Sequence, residues 1–303
     1  MTIATIGKPR SAYYTGEGTT PDDVIHKAAA ATPVGDCTVS TPFRPATMAF
    51  YNSSNQRGGI DKWETNGQWL YYGMAYGPQH IRQHKLALID AEFMKVPGAR
   101  RIDPATLPPT EYFWSRDRIA AGIPDIFELR WVNWVPNGSH IAFSPVSPIR
   151  GADAEKLYDM AKRRHTEFGI DLFPAFIVGL REMHIIVELV FDRGDPAKRK
   201  AAMDCLRCMI DDAAAFGYGE YRTHLVLGDQ VAGTYNWNDG ALMKFNERLK
   251  DALDPNGILA PGRCGIWPKR YRNRGWEMTR ASGDNTQGDG VEPALTDQLT
   301  AKL

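Results

Sequence analysis

The segment Glu220-Tyr221-Arg222-Thr223-His224 sets a phenol, a guanidinium and an imidazole close together, just beyond a Gly217-Tyr218-Gly219 turn at the end of a predicted helix. A phenol hydroxyl and a guanidinium aimed at one oxygen are suited to holding a phenolate. A free phenol resembles tyrosine and titrates near pH 10, so ionising it at neutral pH takes roughly three pK units, about 4 kcal/mol. Two charge-assisted hydrogen bonds of about 1.5–3 kcal/mol each are of that size. The plainer reading is a strand edge whose polar groups are satisfied locally, and the residues alone leave both readings open.

Other chemical groupings carry less. His80 and His84 stand four apart on a predicted helix, a metal-ligand spacing, but Ile81 occupies the place where a zinc protease needs its glutamate, so a solvated helix face is the preferred reading. Cys205 and Cys208 form a CxxC inside a helical pattern with no second pair for zinc, and read as helix positions. Arg181-Glu182-Met183-His184 lies between two apolar runs, as a turn or as a strand passing through the core, where its charges would have to pair. Neither GxGxxG after a strand nor GxxxxGK[ST] occurs in these residues, so no phosphate cradle is expected.

These groups must be positioned by an α+β framework. An aromatic strand over 68–76 precedes a helix over 79–95 stopped by Pro97-Gly98, and a short strand is expected near 100–102. The pattern recurs with a strand near 141–146, a helix over 152–168, apolar strands over 173–180 and 185–191, and a helix from Pro196 to Phe216. A last helix is expected over 239–253. Strands interrupted by helices, with several connections short enough for antiparallel pairing, predict a ferredoxin-like antiparallel sheet flanked by helices. The expected organisation is a loop-rich segment over 1–66, a main domain over 67–272, and a Gly-, Ser- and Asp-rich disordered tail over 273–303.

Composition excludes several classes of partner. With 36 basic against 36 acidic residues, no net field draws the chain to nucleic acid or to an anionic membrane. The sequence begins without an apolar signal region and has no run approaching 18 apolar residues, so a soluble, cytoplasmic protein is expected. Four cysteines without a paired framework agree with reduced thiols.

Longer motifs then give a resemblance. GLREMH at 179–184, GYGEYRTH at 217–224, TYNWNDGALMKFNE at 234–247 and DPNGILAPGRCGIWP at 254–268 resemble the vanillyl-alcohol oxidase family, which includes eugenol oxidase and the 4-cresol dehydrogenase (p-cresol methylhydroxylase) flavoprotein. YGMAYGP at 72–78, VPGAR at 96–100 and WVPNGSHIAFSP at 134–145 extend it, so that it covers about 68–270. The resemblance implies the C-terminal cap (substrate) domain of a flavoprotein whose N-terminal half binds FAD. It implies that Tyr221 and Arg222 bind a para-substituted phenol as phenolate, that Glu128 is a pocket carboxylate, and that His140, in PNGSH, is the attachment point of a covalent flavin. The plainer alternatives are an unlinked His140 and a Glu128 that merely pairs with Arg130.

The implied reaction is hydride loss from the benzylic carbon to FAD, giving a p-quinone methide. The flavin-binding half and its pyrophosphate loop are not among these residues, so FAD binding by this chain alone is expected to be weak, and a separate FAD-binding chain and a homo-oligomer are both compatible with the sequence. The alternative is a flavin-free phenol-binding module, or a quinone-methide lyase or isomerase using Glu128 or His184 as base.

Overall fold

The computed structural model describes residues 37–40, 70–73, 77–95, 135–179 and 181–278, with isolated positions between 118 and 132. Two short strands, β1 (Cys37–Ser40) and β2 (Leu70–Gly73), precede helix α1 (Gln79–Phe93). There follow β3 (Gly138–Phe143), β4 (Pro145–Ser147), α2 (Gly151–Phe168), β5 (Pro174–Val178), β6 (Met183–Asp192), α3 (Pro196–Ala215) and the two-residue β7 (Gly219–Glu220). Helices α4 (Gly228–Thr234) and α5 (Trp237–Leu253) follow among the described residues, with single 3₁₀ turns at Leu225–Leu227 and Arg263–Gly265. Among the described residues, no helix is long and apolar enough to cross a membrane.

All pairs in the sheet are antiparallel, in the order β2-β1-β5-β6-β4-β7, with β3 also on β6. The ten-residue β6 is the spine. Its second half pairs with β3 and its first two residues with β4 in the same register, so β3 and β4 run as one strand interrupted at Ser144.

Period-two alternation decides which face is which. Met183, Ile185, Val187 and Leu189 of β6, Phe176 and Val178 of β5, and Ile141 and Phe143 of β3 are buried. They meet the apolar stripes of α2 (Ala154, Leu157, Ala161) and α3 (Ala202, Leu206, Met209, Ala213), whose spacing of three and four residues makes one helical face. Asp195 caps α3 by accepting from the N–H groups of Ala197 and Lys198, ahead of Pro196 at the first helical position. Gly169, at φ 64°, ends α2 in the left-handed conformation.

The expected helices and strands of 138–253 are present within one to three residues of their predicted ends. Cys205 is buried in α3 and Cys208 half-buried, while His80 and His84 are exposed on α1. Arg181-Glu182 is a turn closed by the Gly179 N–H to the Glu182 carbonyl, and β6 starts at Met183. The strand expected near 100–102, the loop-rich reading of most of 1–66, and the tail beyond 278 lie outside the described residues. Residues 273–278 are described, and the Met278 N–H reaches Asp229 Oδ2 at 2.7 Å.

Candidate active site

The side of the sheet away from α2 and α3 carries the alternate residues: His140 and Ala142 of β3, Val146 of β4, and His184, Ile186 and Glu188 of β6, none of them fully buried. Register sets Ala142 opposite Glu188 and Val146 opposite His184. This face positions the ionisable residues.

The chain reaches it through a tightly specified turn. After α3 ends, Gly217 takes φ 85°, and the buried Tyr218 hydroxyl donates to Asp153. Gly219 lies so close to the Tyr235 ring and hydroxyl that a Cβ there would overlap them. Tyr235 donates its hydroxyl to the Glu220 carbonyl at 2.7 Å. Glu220 itself is buried, and its Oε2 accepts the Ser144 N–H at 2.6 Å where β3 gives way to β4. The Tyr221 N–H meets the Ser144 carbonyl at 3.4 Å. Two residues of strand and a buried carboxyl thus fix where Tyr221 and Arg222 begin.

The Tyr221 ring tilts against the His184 ring, centroids 4.9 Å apart at 51°, and the Arg222 guanidinium carbon is 5.7 Å from the Tyr221 centroid. Tyr221 and Arg222 line a cavity of about 270 Å³, with Tyr235 of the α4–α5 junction, Leu242 and Met243 of α5, and Cys264 among its other walls. His140 Nε2 is 3.8 Å from Glu188 Oε2.

Burial and the Arg222 charge together set the titration of this face. Burial first, and then the Arg222 cation, hold His140 below its ordinary value, so the imidazole is neutral at pH 7. Burial pushes Glu188 up to about 7 and Glu220 up to about 8, in each case against the pull of Arg222. Glu188 Oε2 and Glu220 Oε1 are buried without a hydrogen-bond partner among the described residues. Arg222 is therefore electrostatically common to His140, Glu188 and Glu220.

Of the residues singled out from sequence, Tyr221, Arg222, His140 and His184 come to one face; Glu128 lies outside the described residues. Glu188 was missed and Glu220 was read only as part of its segment. The signal for Glu188 was its position as the lone acid in Met183–Asp192 before the strand's last residue, on the same alternate positions as His184.

An antiparallel sheet backed by two helices thus carries cationic, phenolic and imidazole groups on its other face. The chain belongs to the family of FAD linked oxidases, C-terminal domain, which matches residues 45–264 and so begins ahead of the first motif at 72. It is 33% identical over 200 residues to the 4-cresol dehydrogenase [hydroxylating] flavoprotein subunit of Pseudomonas putida, covering 66% of this chain and 38% of that protein. Among solved structures, 4-ethylphenol oxidase from Gulosibacter chungangensis, in an isoeugenol complex, superposes with a TM-score of 0.76 at 32% identity, over 89% of this chain and 54% of that one. Substrate-bound p-cresol methylhydroxylase gives 0.71 at 25% identity, over 88% and 52%. The chain thus spans roughly half, or less, of the relatives it matches.

The residues on the open face fit a flavin partner. A neutral imidazole at His140, its side chain 36% exposed, retains the lone pair that a covalent link needs, and Ala142, two residues along the same face, is small.

Proposed function

We propose that this chain supplies the substrate-binding cap of an FAD-dependent oxidoreductase that oxidises para-substituted phenols, 4-alkylphenols or 4-hydroxybenzyl alcohols, through a phenolate and a p-quinone methide. The observation that carries the reading is the convergence of Tyr221, Arg222 and His140: the pair lines one cavity, and the Arg222 charge is felt at His140. In this reading 67–272 is the cap (substrate) domain, flanked by 1–66 and 273–303. The FAD-binding unit is the principal partner, self-association is compatible with the reading, and the location is cytoplasmic, in keeping with free cysteines.

Bound FAD supplies the hydride acceptor. The chain's own part is electrostatic. Arg222 and the Tyr221 hydroxyl hold the phenol oxygen as an anion, which makes the benzylic carbon a better hydride donor because the departing charge is already present on the ring. His140 stays neutral beside Arg222 and is the attachment residue for the cofactor. Glu188, titrating near neutrality, exchanges a proton at Oε2 in either direction, which suits addition of water to the quinone methide. Glu128 is assigned as a further pocket carboxylate on family resemblance.

The test is anaerobic mixing of 4-ethylphenol with the chain joined to its flavin-binding half, following loss of flavin absorbance. Rapid bleaching by the parent, and bleaching slowed at least tenfold in Arg222→Ala, supports the assignment. Equal rates in both would refute it.

A further inference from the structure

One wall of the cavity that holds Tyr221 and Arg222 is a single short turn, from which Arg263, Cys264 and Ile266 line the space. Its own backbone bonds are few: the Gly262 N–H donates to the Ile266 carbonyl at 3.1 Å and the Gly265 N–H to the Gly262 carbonyl at 3.0 Å. Cys264 takes φ 55°, a conformation that disfavours any residue with a side chain and that persists where the surroundings impose it. Helix α4 supplies those surroundings. Gly265 lies so close to it that a Cβ there would overlap the Ala232 Cβ. From the first turn of α4, Asp229 Oδ1 accepts the Trp267 Nε1–H at 2.7 Å. The Trp267 ring in turn packs so tightly on Gly262 that a Cβ there would overlap it. Asp229 therefore grips the wall at one remove, carboxylate to indole and indole to turn. Its other oxygen accepts the Met278 N–H at 2.7 Å, so both oxygens are engaged by the C-terminal segment.

The same bond separates two walls of one space, because α4 itself lines the cavity at Val231 and Ala232. The polar lining is concentrated at Glu220–His224, while Val231, Ala232, Leu242, Met243 and Ile266 are apolar. A phenol whose oxygen is held by Tyr221 and Arg222 lays its ring and para substituent along those apolar walls, so the room between α4 and the turn limits what fits. We infer that Asp229 is a positioning residue for substrate selection: through the Trp267 indole it fixes the Arg263–Ile266 turn against α4, and so sets the length of para substituent that the cavity admits. The inference rests on the proposed function, because it takes a para-substituted phenol as the occupant.

The test compares 4-ethylphenol with 4-heptylphenol by calorimetric titration of the chain joined to its flavin-binding half. Asp229→Ala and Trp267→Phe, which each remove the carboxylate–indole bond, should shift the ratio of the two dissociation constants towards the longer chain by about tenfold or more, since even one methylene counts that much in a fitted pocket. Asp229→Asn keeps an acceptor oxygen for the indole and should stay within about threefold of the parent ratio. A role in stability alone would weaken both phenols together and leave the ratio where it was. Hydrogen exchange of the full chain supplies a second readout that needs no substrate. The amides of 262–266 should exchange at least about tenfold faster in Asp229→Ala than in the parent, with those of 183–192 unchanged. A ratio unmoved in both Asp229→Ala and Trp267→Phe, or amides at 262–266 that keep the parent rate, overturns the inference. A parent that binds neither phenol removes the functional reading instead, and the exchange result still decides whether Asp229 holds the turn.

Discussion

On the helix side, β6 buries Met183, Ile185, Val187 and Leu189; on the other side, one residue along each time, it presents His184, Ile186 and Glu188. One backbone serves both sets. The helix side of β6 is apolar and closed by α2 and α3, so its side chains contribute burial. The open side holds an imidazole and a carboxyl, joined across the sheet by His140 and from the β7 turn by Tyr221 and Arg222, so it spends stability on ionisable groups held partly out of water. The contrast teaches that stability and chemistry can be altered separately, since a side chain on one face points away from the other.

The largest effect expected is on the closed face. Phe143→Ala, at a fully buried site, should cost about 3–5 kcal/mol of folding stability. A shift in denaturant midpoint at unchanged slope measures it, and a loss below about 1 kcal/mol would mean that the face is not close-packed. The open face should respond in the other currency. Arg222→Ala should weaken binding of a 4-alkylphenol to the assembled protein by about ten- to hundredfold, the worth of one charge-assisted bond, with little change in the denaturation midpoint. Calorimetric titration reads the first and unfolding the second. Tyr221→Phe, which removes one hydroxyl donor, should cost about two- to tenfold in the same titration.

A smaller effect separates the two raised carboxyls from the helix-side imidazole by sign of pH dependence. Glu188 and Glu220 are raised to about 7 and about 8 in the folded chain, so the folded state binds their protons more tightly than the unfolded chain does. Their contribution is full below the ordinary carboxyl value and is lost as pH rises through those values. The buried His165 on the helix side is pushed down to about 4, so its contribution is present above its ordinary value of 6.5 and is lost as pH falls towards 4. Glu220→Gln removes one of the groups of the first kind. Its melting temperature should therefore gain on that of the parent between about pH 5 and about pH 9, and a difference that stays constant would show that Glu220 is not held protonated.

Much of the closed face was legible in the sequence because it follows from periodicity. The intervals in α2 and α3, and the alternation in β6, are local patterns that packing did not override. The Tyr221–Arg222 pair was legible as chemistry, and His140 only through its motif, since nothing local distinguishes it from any strand histidine. Glu188 and the fixing role of Glu220 were not legible. Their raised values come from burial created by tertiary pairing, of β3 with β6 at Glu188 and of β7 with β4 at Glu220, where Ser144 and Glu220 are 76 residues apart.

The central claim is that Tyr221 and Arg222 hold a phenol as its anion. The most direct measurement is the ultraviolet difference spectrum of 4-ethylphenol bound to the assembled protein near pH 7, where the free phenol is protonated. The account predicts the red-shifted band of a phenolate in the parent, diminished in Tyr221→Phe and lost in Arg222→Ala. A bound phenol that keeps the spectrum of its neutral form in the parent, or a phenolate band that persists undiminished in Arg222→Ala, would contradict it.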